Sequence, residues 1–161
     1  MIVVSDTSPI RGLLSIKKTD LLEQLFDSIV IPKAVEEELY RIKAVDIDIP
    51  AFLNKSWVKV MEIKNTKQLN ELRKHIDSGE SEAIILAKEL NCNLILIDED
   101  KGRRIAKSLD IEVLGLIGIL VLAKQKGLLN EIKPLLDDLR DNYGFWINNE
   151  LFVKIIKSVN E

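Results

Sequence analysis

Histidine and cysteine are almost missing from this chain, which has only His75 and Cys92. A single cysteine excludes an internal disulfide and any cysteine-rich zinc site. A single histidine excludes a multi-histidine metal centre built within one chain. It also leaves a serine triad short of a base, because His75 falls on a polar helical stretch and suits none of Ser5, Ser8, Ser78 or Ser81. The seven glycines form neither a GxGxxG nor a phosphate-cradling loop. Long apolar runs are missing as well. The longest, Val113–Ala123, has eleven residues including Gly115 and Gly118, well short of the roughly 20 needed to span a bilayer. Ile2–Val4 is too short for a secretory core and Asp6 follows at once, so the expectation is a cytoplasmic protein with no membrane association.

Carboxylates are plentiful. The chain carries 26 acids against 23 bases, a formal net charge of −3. That balance lacks the broad basic field of a protein held to nucleic acid by charge alone. It does not exclude a nuclease, because acids clustered at a metal site lower the net charge and leave a basic rim untouched. With histidine and cysteine set aside, any catalytic metal is held by carboxylates, which favours Mg²⁺ or Mn²⁺ over Zn²⁺. The chain's 161 residues, 47% of them hydrophobic, suit one domain, 1–161, with 128–161 as a helical C-terminal extension.

Short apolar runs alternate with helical stretches. Ile2-Val3-Val4, Ile29-Val30-Ile31 and Leu94-Ile95-Leu96-Ile97 read as buried strands, and Trp57–Ile63 reads as an edge strand. Ser8-Pro9 suits a helix start with Ser8 as cap. Asp20–Phe26, the stretch carrying Val35, Leu39 and Ile42, Thr66–Lys74, Glu80–Leu90 and Lys101–Ser108 read as helices. A short strand at Ile111–Leu114 precedes three more helical stretches, near 116–126, 131–141 and 149–159. Residues 44–56 are ambiguous. This alternation indicates βαβ units and a central parallel sheet covered on both faces, a three-layer α/β/α sandwich.

Function in such sheets collects at the carboxyl ends of the strands. Two apolar runs lead into acids there, Ile2–Val4 into Asp6 and Leu94–Ile97 into Asp98. Carboxylates brought that close repel unless a divalent cation or a shared proton compensates them. At about 100° per residue, Glu38 lies beside the stripe of Val35, Leu39 and Ile42, and Glu80 falls within the arc of Ala83, Ile84, Ala87 and Leu90. Glu82 sits at the margin of that arc. Taken singly, each acid has a bland reading as a helix cap, a dipole complement or an edge residue whose stem packs. Lys101, Arg103, Arg104 and Lys107 follow the Asp98 strand and suit phosphate contacts beside an acidic metal site.

Asp6-Thr7-Ser8-Pro9, Ile31–Val35 leading to Glu38-Leu39, Gly79-Glu80-Ser81-Glu82-Ala83-Ile84, and Leu94–Asp98 with Arg103 together resemble the PIN-domain family of metal-dependent ribonucleases. Within it they are most similar to the VapC-like toxin group, and the tail with Gly144-Phe145-Trp146 resembles a less-characterised subfamily. The resemblance implies a PIN-like sandwich, Mg²⁺ or Mn²⁺, an RNA substrate, a homodimer and a small antitoxin that blocks the site. It implies metal-binding, catalytic roles for Asp6 and Glu38, with Ser8 supporting the first acid; Lys101 and Arg103, from the basic run after Asp98, are expected to steer the phosphate backbone. Spacing leaves the other two acids open, since Glu80 precedes Asp98 by 18 residues and Glu82 precedes Asp100 by the same 18. The helical face favours Glu80 with Asp98, and the family's frequent register favours Glu82 with Asp100. Two further classes stand beside this one. One is a PIN-like nucleic-acid or antitoxin binding module with little catalysis. The other is a toprim-like Mg²⁺ enzyme, suggested by Asp98-Glu99-Asp100.

Overall fold

The computed structural model describes residues 1–161 throughout. Five short strands form one parallel sheet: β1 (Val3–Ser5), β2 (Ile29–Pro32), β3 (Val58–Met61), β4 (Leu94–Leu96) and β5 (Glu112–Leu114). Their spatial order is β3-β2-β1-β4-β5. Val4 lies level with Val30 on one side and with Ile95 on the other. Ten helices complete the chain: α1 (Thr7–Ser15), α2 (Asp20–Phe26), α3 (Lys33–Tyr40), α4 (Ile49–Leu53), α5 (Thr66–Leu72), α6 (Ser78–Glu89), α7 (Asp100–Ser108), α8 (Leu116–Gln125), α9 (Lys133–Asn142) and α10 (Asn149–Ser158).

Strand side chains alternate between faces, and the sheet feeds two cores. Val3, Ile29, Ile31 and Leu96 join α1, α2, α3 and α8 in the larger one. Val4, Val30, Ile95 and Ile97 meet α6 and α7 in the other. These are the two outer layers of the expected sandwich. Each fully buried Ile or Leu contributes about 1.5–3 kcal/mol, so short strands suffice when both faces are covered.

Most element ends move by a residue or two, and at three places a local reason is visible. Helix α1 opens at Thr7 with Asp6 in the capping position, two residues earlier than a Ser8 cap requires. Pro9 then sits inside the first turn, where its missing N–H has no intrahelical partner to lose. The ambiguous stretch 44–56 contains α4, capped by the Asp48 carboxylate on the Ala51 N–H at 2.9 Å. Helix α6 begins at Ser78, because Asp77 accepts the Glu80 N–H at 2.9 Å.

Helix α6 is buried from Gly79 through Ala87. It packs on the sheet and also against α3, α5 and α7. Glu80 and Glu82 are therefore both drawn inside, on different sides of the helix. The C-terminal helices α9 and α10 send Leu136, Leu139, Ile155 and Ile156 into the larger core. The Glu161 carboxylate clasps this extension. It accepts the N–H groups of Ile132 at 2.8 Å and Lys133 at 3.0 Å and pairs with Lys124 at 2.7 Å. Burial alone raises its pKa, but Lys124 and the two N–H groups outweigh that and hold it below the ordinary glutamate value. The clasp is therefore strongest above the carboxylate range and is lost as acid protonates it.

Candidate metal centre

The chain runs outward through β1, β2 and β3 and then returns to place β4 on the other side of β1. The carboxyl ends of β1 and β4 thus flank the point where strand order reverses, which opens a crevice in sheets of this kind. Asp6 leaves β1 there, its N–H donating to the Leu96 carbonyl at 2.9 Å. Asp98 leaves β4 two residues past Leu96.

Asp6 is 3% exposed. Its side chain makes no capping bond to α1, and Oδ1 is buried with no hydrogen-bond partner. Burial pushes its carboxyl well above the usual aspartate value. The Thr7 N–H opposes that shift, and the charges of Glu80, Asp77 and Glu38 add to it. Glu38, in the last turn of α3, is held from two sides. The Thr7 hydroxyl donates to Oε2, and the Gly79 N–H donates to Oε1 at 3.0 Å. Asp77 caps α6 and also faces this group. One carboxylate oxygen each from Asp6, Glu38 and Asp77 lies within 4.8 Å of the other two.

Glu80 joins them electrostatically. Burial, followed by the charges of Asp77, Glu99 and Glu38, pushes it up to about 7. Asp98 is fixed by the Leu116 N–H at 2.8 Å, while its Oδ2 is buried and unpartnered. Burial raises its pKa, and the Leu116 N–H and the Arg103 guanidinium draw it back. Arg103 donates Nη1 to the Ile97 carbonyl at 3.2 Å.

Two glycines make room for these acids. A Cβ on Gly79 would lie 2.8 Å from the carboxyl carbon of Glu38. A Cβ on Gly115 would lie 2.6 Å from Asp98 Oδ1 and 2.9 Å from Arg103 Nη1. Side chains are thereby excluded at the positions where backbone approaches the carboxylates.

The other candidates stand elsewhere. The Glu82 carboxylate accepts the Ala34 N–H at 3.2 Å and pairs with Arg73 at 3.5 Å, which steadies the start of α3. Asp100 is exposed as the first residue of α7, and Lys101 beside it is exposed too. Ser8 lines a neighbouring cleft and forms no hydrogen bond to Asp6. Asp77 and Thr7 were not singled out in the sequence. The signal for Asp77 was present, because an Asp three residues before a Glu at a helix start is a capping pattern. Thr7 carries no such signal, since only the fold brings it to Glu38.

The donors here are all carboxylate oxygens, and two of them, Asp6 Oδ1 and Asp98 Oδ2, are buried without a partner. That set fits a hard divalent cation such as Mg²⁺ or Mn²⁺ and suits no softer metal. Like charges at this separation favour either protonation or a bound cation. A family model described as a PIN domain matches residues 2–161. No curated protein matches the chain.

Proposed function

We propose that this chain, which belongs to the PIN-domain family, is a Mg²⁺- or Mn²⁺-dependent endoribonuclease that hydrolyses RNA phosphodiester bonds. PIN domains are metal-dependent nucleases. The observation that carries the reading is the trio of Asp6, Glu38 and Asp77 oxygens within 4.8 Å of one another.

Asp6, Glu38, Glu80 and Asp98 are assigned as the metal-holding, catalytic acids, and Asp77 joins them. The commitments of Glu82 to Ala34 and Arg73 support Glu80 in this role, and the exposure of Asp100 supports Asp98. A bound divalent ion supplies charge neutralisation at the scissile phosphate and acidifies water. The protein's own share is positioning. Thr7 and Gly79 lock the Glu38 carboxylate, and the Leu116 N–H locks Asp98. Asp6 offers an oxygen whose desolvation has already occurred on folding. Glu80, pushed up to about 7, takes up a proton far more readily than a free glutamate in the metal-free chain and yields it as positive charge arrives. Arg103, with Lys101 on the exposed turn, steers the flanking phosphates. Ser8 is assigned a supporting place on the cleft wall beside Asp6.

The similarity to toxin ribonucleases supports a homodimer that acts in the cytoplasm and is inhibited by a small antitoxin protein. No helix is long and apolar enough to cross a membrane. A fluorescently labelled RNA tests the catalytic reading. Cleavage is expected with Mg²⁺ or Mn²⁺, lost on chelation and restored by either ion. Binding without cleavage at any divalent concentration would instead make the chain a binding module.

A further inference from the structure

A cleft of about 1020 Å³ opens directly beside the acidic centre, where Asp98, Glu99 and Asp100 line it. Its far wall comes from the C-terminal extension. There Tyr143 is 45% exposed and Trp146 81% exposed, in a turn whose Gly144 takes φ +66°. Arg11 on α1 and Arg103 on α7 line the walls between. Arg11 belongs to no ion pair of this chain, and Arg103 stands beside Asp98 with Nη1 on the Ile97 carbonyl.

Resting on the nuclease reading, we propose that this cleft binds an unpaired RNA strand leading to or from the cut, with Trp146 and Tyr143 stacking on its bases. The position selects the ligand. The cleft continues from Asp98, so an RNA chain cut at the acidic centre runs into it, with Arg11 and Arg103 set against its phosphates between the acids Asp98, Glu99 and Asp100 and the aromatic wall. The ring pattern selects the strandedness. Aromatic faces held out to solvent stack on bases that lie free of a duplex, and such stacking tolerates any base. Exposed Trp and Tyr this close together are no scattered surface residues, because Gly144 turns the backbone between them. The acids order the strand's direction of approach. They repel phosphate until a cation neutralises them, so the aromatic wall holds the strand first.

The test uses the full chain. With Asp6→Asn in place to prevent cleavage, a short oligouridylate is expected to quench the exposed Trp146 emission, and its duplex with oligoadenylate is not. Trp57 is 6% exposed and packs edge-on to Phe52, so iodide quenching separates the two signals. In the otherwise unchanged chain, Trp146→Ala is expected to raise KM for single-stranded RNA about tenfold with kcat little altered. Trp146→Phe should recover part of that loss, which a merely structural role would not require. Unchanged KM in Trp146→Ala would overturn the proposal. So would equal quenching by the duplex. A Trp146 emission that shifts with protein concentration in the absence of RNA, and an oligomeric state altered by Trp146→Ala, would assign the surface to a second copy instead. The two readings fail separately. Full cleavage by Asp6→Asn would remove the catalytic assignment and leave strand binding standing. An inactive Asp6→Asn beside an unaffected Trp146→Ala would do the reverse.

Discussion

Asp6→Asn is expected to lower RNA cleavage by about 100-fold or more and to leave the fold intact. Asparagine keeps the volume of the side chain and its place after β1, so neither core is disturbed. What it removes is the negative charge and one of the two carboxylate oxygens of a buried acid grouped with Glu38 and Asp77. The same substitution bears on stability in the opposite direction. In the metal-free chain, the folded Glu80 carboxyl has a value of about 7 against 4.5 for the free group. The folded state therefore binds the extra proton between those values, and stability falls as pH rises through that window. The raised value of Asp6 has the same sign. Metal-free Asp6→Asn should unfold at a higher temperature than the parent at pH 8, with a narrower gap at pH 5. Added Mg²⁺ should stabilise the parent at pH 8 and do less for the variant. Calorimetric scans at both pH values check this, and a variant less stable than the parent under every condition would contradict it.

Gly79→Ala is expected to reduce cleavage about tenfold or more through lost ligand positioning, although Ala is the better helix former. The added Cβ would stand 2.8 Å from the Glu38 carboxyl carbon, too close for either to remain in place. Glu38 must swing away from the Thr7 hydroxyl and the Gly79 N–H that hold it. The loss should appear as a weaker apparent affinity for Mn²⁺, partly recovered at high concentration. Cleavage assays across a Mn²⁺ titration check it. Full activity at low Mn²⁺ would show that Glu38 need not hold its observed position.

The sheet was legible because its three central strands are short apolar runs with both faces covered. Leu94–Ile97 and Ile29–Ile31 cannot be placed otherwise in a chain that alternates with helices. The inward turn of Glu38 and Glu80 followed from helical periodicity over Val35, Leu39, Ala83 and Ala87. Spacing could not separate Glu80 from Glu82, and the helical face that favoured Glu80 did not show that Glu82 is buried as well, because α6 is covered on all sides. The environments of the two acids differ only through tertiary contacts, with Ala34 and Arg73 against Asp6 and Asp77. Asp77 was hidden for a related reason. Capping α6 explains it in sequence, and its second role exists only once α3 and β1 arrive beside it. The aromatic wall at 143–146 shows in the sequence as residue types alone, since nothing local tells that the C-terminal extension folds back toward the carboxyl edge of the sheet.

The central claim is that acids from β1, α3 and the start of α6 converge on one cation. Anomalous diffraction from crystals soaked in Mn²⁺ measures that directly. A peak within about 2.5 Å of carboxylate oxygens from both Asp6 and Glu38 is the expected result. Saturating Mn²⁺ with no peak there, or peaks only at Glu82 and Asp100, would contradict it.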